Sequence, residues 1–260
     1  MSIDKITVVK IGGNVVDDPQ ALDEFIGNFS RMKGAVILVH GGGKEATRLS
    51  KALGIETTMI NGRRVTDSDT LNVVTMVYAG LINKRIVSKL QACGVNAMGL
   101  SGADAGVVRA VKRNISDIDF GFVGDMLPDS VDAGVLTMLL EHGITPVFCA
   151  IMHDGHGQLL NCNADTVAST VAIASSRIAP TCLTFCFEKA GVLADPDDET
   201  TMIPEITRES YLSLRDRNIV SGGMLPKIDN AFAAIDAGVG QVHIKHASNL
   251  LNDKATVIRP

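Results

Sequence analysis

The sequence predicts an α/β fold in which helices cover both faces of a central, mostly parallel sheet. Short apolar runs rich in β-branched residues alternate along the chain with segments of helical apolar spacing, and this alternation is typical of βαβ units. Strands are expected over residues 6–11, 35–40, 95–100, 144–151, 181–187 and 241–247. The clearest helices are expected over residues 21–32, 68–93 and 164–178.

The spacing of apolar residues supports these elements in order. In the first helix, Leu22, Phe25, Ile26 and Phe29 recur at helical spacing and define one apolar face. Residues 194–204 are polar and rich in turn formers, which predicts a surface loop rather than a domain boundary. We therefore expect one large α/β domain, or two lobes that share a sheet.

Composition and charge exclude several classes of function. The 260 residues have a net charge of −5 and no long basic run, so nucleic acids and anionic membranes are poor candidate partners. No apolar run approaches the ~20 residues needed to span a bilayer, and the start of the chain lacks a signal-peptide pattern. The five cysteines form no CxxC pair, which favours buried free thiols in a reducing cytosol. We therefore expect a cytoplasmic protein.

Glycine clusters follow two of the predicted strands. Gly12 and Gly13 come after the first strand, and Gly41, Gly42 and Gly43 come after the second. Because ligands of open α/β sheets gather at the carboxyl ends of strands, we expect the backbone to approach a ligand closely at both places. The second turn has the sequence HGGGKE, which matches neither a P-loop nor a dinucleotide-binding fingerprint.

Cationic side chains lie close to these turns. Lys10 is inside an otherwise apolar strand, where a lysine needs an anionic partner unless the strand is at an edge and the side chain reaches solvent. Arg63 and Arg64 belong to the segment NGRRVTD and are expected to point to opposite faces, so that only one faces a given site. An arginine fork suits a carboxylate, but this segment alone fits a solvated surface pair equally well.

Two later segments combine polar side chains with the start of a helix. Asn161, Asn163 and Asp165 alternate in NCNAD and share a face if the chain is extended, although Asp165 can instead cap the following helix. Two glycines precede Lys227, which stands at the start of another helix. The segment HDGHG is interpreted as the tip of a β-hairpin rather than a metal-binding pair, and no hydrolase signature such as GxSxG is present.

Five motifs, taken in order, resemble the amino acid kinase family. They are Lys10-x-Gly-Gly, HGGG, NGRRVTD, NCNAD and GGMLPK. Within the family, the chain is most similar to members that phosphorylate the side-chain carboxylate of N-acetyl-L-glutamate for arginine biosynthesis. The resemblance implies a three-layer αβα sandwich with a central, mostly parallel sheet, and ATP as the phosphoryl donor, with Mg²⁺ bound mainly through the nucleotide.

The resemblance also implies how the chain is organised. Residues 1–260 would form a single domain, with an acyl amino acid-binding and dimerisation lobe over 1–178 and an ATP-binding lobe over 179–260. Arginine-inhibited members tend to carry an extra helix before the first strand. Only a few residues precede that strand here, so we expect a homodimer without arginine feedback, with the helix at 68–93 as its contact.

Carried over by position, the resemblance implies three groups of site residues. Lys10 and Lys227 would stabilise the transferring phosphoryl group, and Asp165 would hold the two lysines in place. The acceptor would be bound by Gly42, Gly43, Arg64, Asn161 and Asn163. The nucleotide would be bound by Gly12, Gly13, Glu188, Lys189, Gly191, Val192, Leu193, Ile219, Val220 and Ser221. No protein ligand for a metal is implied.

Two departures from the family pattern bear on what the site binds. Glu188 and Lys189 stand where the family usually has Asp-Val, which affects the adenosine contacts. Arg63 stands where relatives tend to have an apolar residue, and an arginine facing the acyl pocket would favour N-succinyl-L-glutamate, although strand alternation argues that it points away from Arg64. Two further interpretations stay open: a sibling kinase acting on carbamate, aspartate or UMP, and a non-catalytic nucleotide-binding or regulatory protein on the same fold.

Overall fold

The computed structural model describes residues 3–60, 62–115, 117–127, 129–195, 197–217, 219–220 and 224–260. The strands within these ranges are β1 Ile6–Ile11, β2 Ala35–His40, β3 Met59–Ile60, β4 Arg63–Arg64, β5 Ala97–Leu100, β6 Val111–Lys112, β7 Gly124–Asp125, β8 Thr145–Phe148, β9 Ile151–His153, β10 Leu159–Asn161, β11 Thr181–Phe187, β12 Glu205–Ile206, β13 Gln241–His246 and β14 Thr256–Ile258. The helices are α1 Gly13–Asp17, α2 Pro19–Phe29, α3 Gly43–Ala52, α4 Ser68–Thr75, α5 Asn83–Ala92, α6 Ala133–Glu141, α7 Ala164–Ser176, α8 Arg208–Asp216 and α9 Leu225–Asp236.

One large sheet organises the molecule. Over the described ranges, its eight strands follow the order β12-β14-β13-β11-β1-β2-β8-β5. Neighbouring strands are parallel except β13 and β14, which are antiparallel. The predicted central, mostly parallel sheet is therefore confirmed, and β1, with Lys10 near its end, lies in the interior of the sheet rather than at an edge.

Helices cover both faces of this sheet. The connection from β1 to β2 contains α2, and the connection from β11 to β13, in the opposite direction across the sheet, contains α9. Because such crossovers are right-handed, the two helices lie on opposite faces. Helix α7 packs on α9 and on β1, and α5 packs on α2. This is the predicted three-layer αβα arrangement.

One predicted strand is divided in the structure. The apolar run at 144–151 contains β8 and the first residue of β9, and these two strands belong to different sheets. Strand β9 pairs antiparallel with β10, and the N–H of Asp154 donates to the carbonyl of Gln158 at 3.0 Å to close the turn. The predicted hairpin at HDGHG is therefore confirmed.

The long helix predicted at 68–93 contains a change of helical type. Its path is α4, then a π-helical segment at Met76–Ile82, then α5. The side chain of Asp67 caps the start by accepting a hydrogen bond from the N–H of Thr70 at 2.8 Å. In the first helix, Asp18 accepts from the N–H groups of Gln20 and Ala21, so α2 begins at Pro19, two residues earlier than predicted.

The thiols follow the sequence prediction for four of the five cysteines. Cys149, Cys162, Cys182 and Cys186 are buried and free, and Cys93 is free but exposed. Burial raises the pKa of Cys149, Cys162 and Cys186 to about 12, so these thiols stay protonated. In the part of the chain that the structure describes, no helix combines the length and apolar composition needed to cross a membrane.

Candidate active site

Both glycine turns lie at the carboxyl edge of the large sheet. Strands β1 and β2 end in register, and α1 and α3 begin directly after the turns. The N–H of Gly12 donates to the carbonyl of Cys186 at 3.0 Å, and the N–H of Gly41 donates to the carbonyl of Ile11 at 3.3 Å. The turns therefore meet at the ends of three adjacent strands, as expected for a ligand site in an open α/β sheet.

Two lysines and an aspartate form a largely buried cluster beside these turns. Lys10 Nζ lies 2.5 Å from Asp165 Oδ1, and Lys227 Nζ donates to Asp165 Oδ2 at 2.8 Å. Lys10 comes from the central strand β1, whereas Asp165 and Lys227 come from the first turns of α7 and α9. The structure therefore brings together three residues that are far apart in sequence, and it supplies the anionic partner that Lys10 was predicted to need.

The electrostatics of the cluster keep the carboxylate ionised. Burial acts to raise the pKa of Asp165, but the charges of Lys10 and Lys227 and their hydrogen bonds outweigh it and lower the pKa from 3.8 to about 2. The N-terminal end of α7, where Asp165 lies, also favours negative charge. Asp165 therefore carries a charge at neutral pH and holds two ammonium groups.

The predicted helix cap lies on a different residue. Asn163, not Asp165, caps α7, because its Oδ1 accepts from the N–H groups of Asp165 and Thr166 at 2.9 and 3.1 Å. The helix begins at Ala164, so the chain is no longer extended at Asp165. As a result, Asn161 and Asn163 line one cavity and Asp165 lines another, instead of all three sharing a face.

Arg64 forms part of the wall of the cavity that Asn161 and Asn163 line, which we call the acceptor cavity. Its guanidinium group is buried and donates to the carbonyl of Gly43 and to Thr47 Oγ1, both at 2.8 Å. Asn161 also lines the cavity, and its side-chain nitrogen donates to Thr66 Oγ1 at 3.0 Å. The glycine turn, a fixed arginine and an asparagine thus surround one space.

Arg63 and Arg64 both line the acceptor cavity, although strand alternation predicts that only one of them faces a given site. The Nη1 of Arg63 lies 3.7 Å from Asp125 Oδ1. Strand β4 is only two residues long and follows Gly62, so alternation is not maintained by neighbouring residues and the long side chain can reach over the cavity. The expectation that only one of the two arginines faces the site is wrong.

A second cavity, which we call the phosphate cavity, adjoins the first at Gly43. Of the residues predicted to bind nucleotide, Gly12, Gly13 and Glu188 line it, together with the Lys10, Asp165 and Lys227 cluster. The backbone at Gly191 and Val192 instead packs on β14, where the N–H of Val192 donates to Thr256 Oγ1 at 2.8 Å. The part that Lys189, Gly191, Val192, Leu193, Ile219 and Val220 play in nucleotide binding stays a prediction, and Ser221 lies outside the described residues.

In each cavity, sequence reasoning missed at least one lining residue. Lys44 and Asn14 line the phosphate cavity, and Tyr78 lines the acceptor cavity. Lys44 directly follows the glycine turn, so its position was a usable signal. Tyr78 had no local signal, because it comes from the π-helical segment and reaches the site only through the fold.

Comparison with known proteins identifies relatives along nearly the whole chain. An acetylglutamate kinase from Phocaeicola vulgatus is 50% identical over 256 residues, covering 98% of this chain and 99% of the relative. An acetylglutamate kinase from Cytophaga hutchinsonii is 48% identical and covers 97% of each chain. A more distant acetylglutamate kinase, from Methanopyrus kandleri, is 38% identical and covers 97% of this chain and 99% of the relative.

Solved structures share the fold. The protein smu.665 from Streptococcus mutans superposes with a TM-score of 0.81 at 30% identity, covering 97% of this chain and 98% of that one. A carbamate kinase from Giardia lamblia bound to AMP-PNP superposes with a TM-score of 0.71, covering 99% of each chain, and at 16% identity it supports the fold alone. The model of the amino acid kinase family matches residues 5–246. By this match and by its close relatives, the chain belongs to the amino acid kinase family.

Proposed function

We propose that this chain transfers the γ-phosphoryl group of ATP to the side-chain carboxylate of N-acetyl-L-glutamate, giving the acyl phosphate used in arginine biosynthesis. A carboxylate oxygen forms a bond to the γ-phosphorus, and the bond from that phosphorus to the β–γ bridging oxygen breaks, so that ADP leaves with the electron pair. The observation that supports this most directly is the Lys10–Asp165–Lys227 cluster next to a cavity that contains a fixed arginine. The naming of the relatives as acetylglutamate kinases agrees with it.

The chemistry of this reaction explains the residues in the cluster. A glutamate side chain has a pKa of about 4.3, so the acceptor is already an anionic nucleophile at neutral pH and no general base is needed. The obstacle is repulsion between two anions, which amounts to roughly 4 kcal/mol for unit charges 4 Å apart at an effective dielectric constant of 20. Lys10 and Lys227 supply fixed positive charge against this repulsion, and Asp165 orients them.

The acceptor cavity suits an acylated amino acid. In this proposal Arg64 binds the α-carboxylate, Asn161 and Asn163 contact the amide end, and the amides of Gly42 and Gly43 meet the reacting carboxylate. The contacts of Arg64 Nη2 with Gly43 and Thr47, and of its Nη1 with Thr57, hold the guanidinium group in one orientation, and the α-carboxylate would accept from its remaining N–H groups. Since Gly43 lines both cavities, the acceptor and the phosphoryl group meet beside it.

The nucleotide would place its phosphates in the phosphate cavity. The carboxylates that line this cavity, within the described residues, are Asp165 and Glu188, and Asp165 is engaged by both lysines. Glu188 is therefore the side chain that fits a Mg²⁺ ion arriving with ATP, and the phosphates would supply most of its ligands. Bound Mg²⁺ would neutralise charge that develops on the phosphates.

An acceptor panel tests the proposal. The protein is incubated with MgATP, hydroxylamine and N-acetylglutamate, N-succinylglutamate, glutamate, aspartate, carbamate or UMP, and acyl hydroxamate and ADP are measured. We expect equal amounts of hydroxamate and ADP with an N-acylated glutamate, and formation of both to be slower by about 10²-fold or more in a Lys227→Ala variant. Absence of ADP with every acceptor would contradict the proposal and favour a non-catalytic nucleotide-binding protein.

One observation favours a second candidate acceptor, N-succinyl-L-glutamate. Arg63 lines the acceptor cavity but holds Asp125 only at 3.7 Å, whereas Arg113 contacts both oxygens of Asp125 at 2.7 Å. The carboxylate of Asp125 is thus mainly satisfied by Arg113, which leaves the Arg63 guanidinium able to meet an additional carboxylate on the acyl group.

Comparing the two acceptors in matched variants separates these candidates. A charge-assisted hydrogen bond contributes about 1.5–3 kcal/mol, so Arg63→Leu should lower kcat/KM for the succinyl acceptor by roughly 10–100-fold without affecting the acetyl acceptor. Arg48→Leu, which removes an exposed arginine paired with Glu45 on α3, is the control. A wild-type protein that prefers the acetyl acceptor, with the same preference in Arg63→Leu, would exclude the succinyl candidate.

We also propose that the protein is a homodimer in the cytoplasm. Its two lobes would be divided near residue 178, as the family resemblance implies. Large apolar side chains are exposed along the long helix and on β5, including Met76 at 54%, Leu81 at 44% and Met98 at 41%. Strand β5 is an edge of the sheet among the described strands. These features support a contact through this helix. A monomer measured by light scattering, or a hexamer whose activity is inhibited by arginine, would contradict the homodimer.

A further inference from the structure

A buried polar pair supports the second glycine turn from behind. His40 is the last residue of β2 and is fully buried, and its Nδ1 lies 2.9 Å from the carbonyl oxygen of Gly41. Its Nε2 lies 3.0 Å from the side-chain nitrogen of Asn83, which also donates to the carbonyl of Val147 at 2.9 Å. Asn83 is buried as well, so water does not compete for these contacts.

The partners of Asn83 determine where His40 carries its proton. Because the Asn83 nitrogen faces the carbonyl of Val147, it is a donor, and Nε2 of His40 must accept its other N–H. The proton of the neutral imidazole is then on Nδ1 and is donated to Gly41. Burial lowers the pKa of His40 to about 4, while the bond to Gly41 acts to raise it and the charge of Lys84 acts to lower it. The ring is therefore neutral at physiological pH.

The π-helical segment brings Asn83 to this position. The N–H of Asn83 donates to the carbonyl of Tyr78, five residues earlier, so the two residues lie one wide turn apart. The same segment is in contact with the glycine turn, because a Cβ added to Gly42 would lie 2.3 Å from Ile82 Cδ1 and 3.2 Å from Tyr78 Cδ1. Such π-helical turns occur frequently at functional sites.

We propose that His40 is a positioning residue for phosphoryl transfer, held in its Nδ1–H form by Asn83 so that it fixes the peptide between Gly41 and Gly42. The carbonyl of Gly41 and the N–H of Gly42 belong to one planar trans peptide and point in opposite directions. A hydrogen bond that holds the carbonyl toward His40 therefore holds the N–H away from it. This inference depends on the proposed function, which places the acceptor carboxylate at that N–H.

The tautomer can be measured without any assay of activity. Spectra of the protein labelled with ¹⁵N-histidine are recorded over a pH range of about 5.5 to 8, and the His40 signals are assigned by their loss in His40→Asn. We expect a neutral ring with its proton on Nδ1 throughout, and a change of tautomer or a gain of charge in Asn83→Asp, whose carboxylate cannot donate. A proton on Nε2 in the wild-type protein, or a ring that becomes charged within this range, would overturn the proposal.

Kinetics distinguishes positioning from a merely structural contribution. His40→Leu and Asn83→Leu should lower kcat/KM for the acylglutamate by roughly 10–100-fold, as expected for a displaced catalytic amide, while KM for MgATP stays unchanged. His40→Asn, which restores a donor near the position of Nδ1, should recover most of the loss. Asn28→Leu removes another buried asparagine, one that donates to the carbonyl of Ser248, and it controls for destabilisation.

The outcomes separate this inference from the proposed function. If kcat/KM falls equally for both substrates, and in step with the melting temperature as expected for Asn28→Leu, the positioning role is overturned even if the wild-type protein is an active kinase. An inactive wild-type protein would contradict the proposed function and the positioning role with it, while the Nδ1–H tautomer would still be found by NMR.

Discussion

Replacing Asp165 by asparagine is expected to destabilise the folded protein and to lower its activity. The substitution removes the anion that lies 2.5 Å from Lys10 Nζ and 2.8 Å from Lys227 Nζ, and it leaves two ammonium groups facing each other. Lys10 and Asp165 are largely buried, so water can replace little of the lost interaction. The lysines would also lose the contact that aims them at the phosphate cavity.

The size of the effect follows from the pKa of Asp165 and from its burial. The fall in the pKa from 3.8 to about 2, against the opposing effect of burial, corresponds to about 2 kcal/mol in favour of the ionised form. Removing one partner of a buried ion pair has a larger effect, because the remaining charges stay buried and unpaired. We therefore expect the free energy of unfolding to fall by roughly 3–5 kcal/mol.

Urea denaturation at neutral pH measures this loss, with Asp23→Asn as a matched control. Asp23 lies 2.5 Å from Lys89 Nζ, the same distance as in the Lys10 pair, but its side chain is 60% exposed. The control should therefore change the free energy of unfolding by at most about 1 kcal/mol. If Asp165→Asn is no less stable than Asp23→Asn, the buried cluster does not exist as described. If it also keeps normal turnover, Asp165 does not orient the lysines.

Three further outcomes are expected. Lys10→Ala and Lys227→Ala should each lower kcat by about 10²-fold or more in the hydroxamate assay, and near-normal turnover in either variant would remove that lysine from the mechanism. Acid should destabilise the protein through His40, because the pKa of this residue is about 4 in the folded protein and 6.5 for a histidine exposed to water. The unfolded chain therefore gains the proton first, and the free energy of unfolding should fall by up to about 3 kcal/mol as the pH falls from 6.5 to 4. Urea titrations at several pH values should show a weaker pH dependence in His40→Gln. Gly42→Ala should lower stability by about 1–3 kcal/mol and weaken acceptor binding, because the added Cβ would lie 2.3 Å from Ile82, and an unchanged KM for the acceptor would place Gly42 outside the site.

Strand positions could be predicted where a strand is buried on both faces. The bounds of β1, β2 and β11 match the apolar runs, because strands that are buried on both faces of a parallel sheet are nearly continuous runs of apolar residues. The same property hides a change of partner. Cys149 and Ala150 are as apolar as the strands on either side, so nothing local marks the point where the chain leaves β8 and enters the hairpin.

Helical spacing likewise could not distinguish the π-helical segment from an α-helix. Val74, Tyr78, Ile82 and Ile86 follow each other at intervals of four and are all buried, a spacing that an uninterrupted amphipathic α-helix also shows. The segment is recognised only from its hydrogen bonds, such as the one from Asn83 to Tyr78. Its consequence, the contact between Asn83 and His40, joins residues 43 positions apart and has no signal in either segment.

The cluster of Lys10, Asp165 and Lys227 was more accessible to sequence reasoning, because a charge inside an apolar run needs an explanation. Lys10 predicted an anionic partner, and the structure supplies Asp165. Arg63 shows the limit of that reasoning. Alternation assigned it to the face opposite Arg64, but a two-residue strand does not enforce alternation, and the two arginines line the same cavity. Position within the fold, rather than residue type, decides which charges meet.

The geometry of the cluster also explains why an aspartate suits its centre. A lysine ammonium group has three N–H donors, so a contact with one oxygen of Asp165 leaves two for phosphoryl oxygens. Because Lys10 contacts Oδ1 and Lys227 contacts Oδ2, neither lysine would have to release Asp165 to bind the transferring group in the proposed mechanism. In that mechanism the carboxylate would fix both cations before ATP arrives and keep them fixed during transfer, which is the preorganisation that electrostatic catalysis requires.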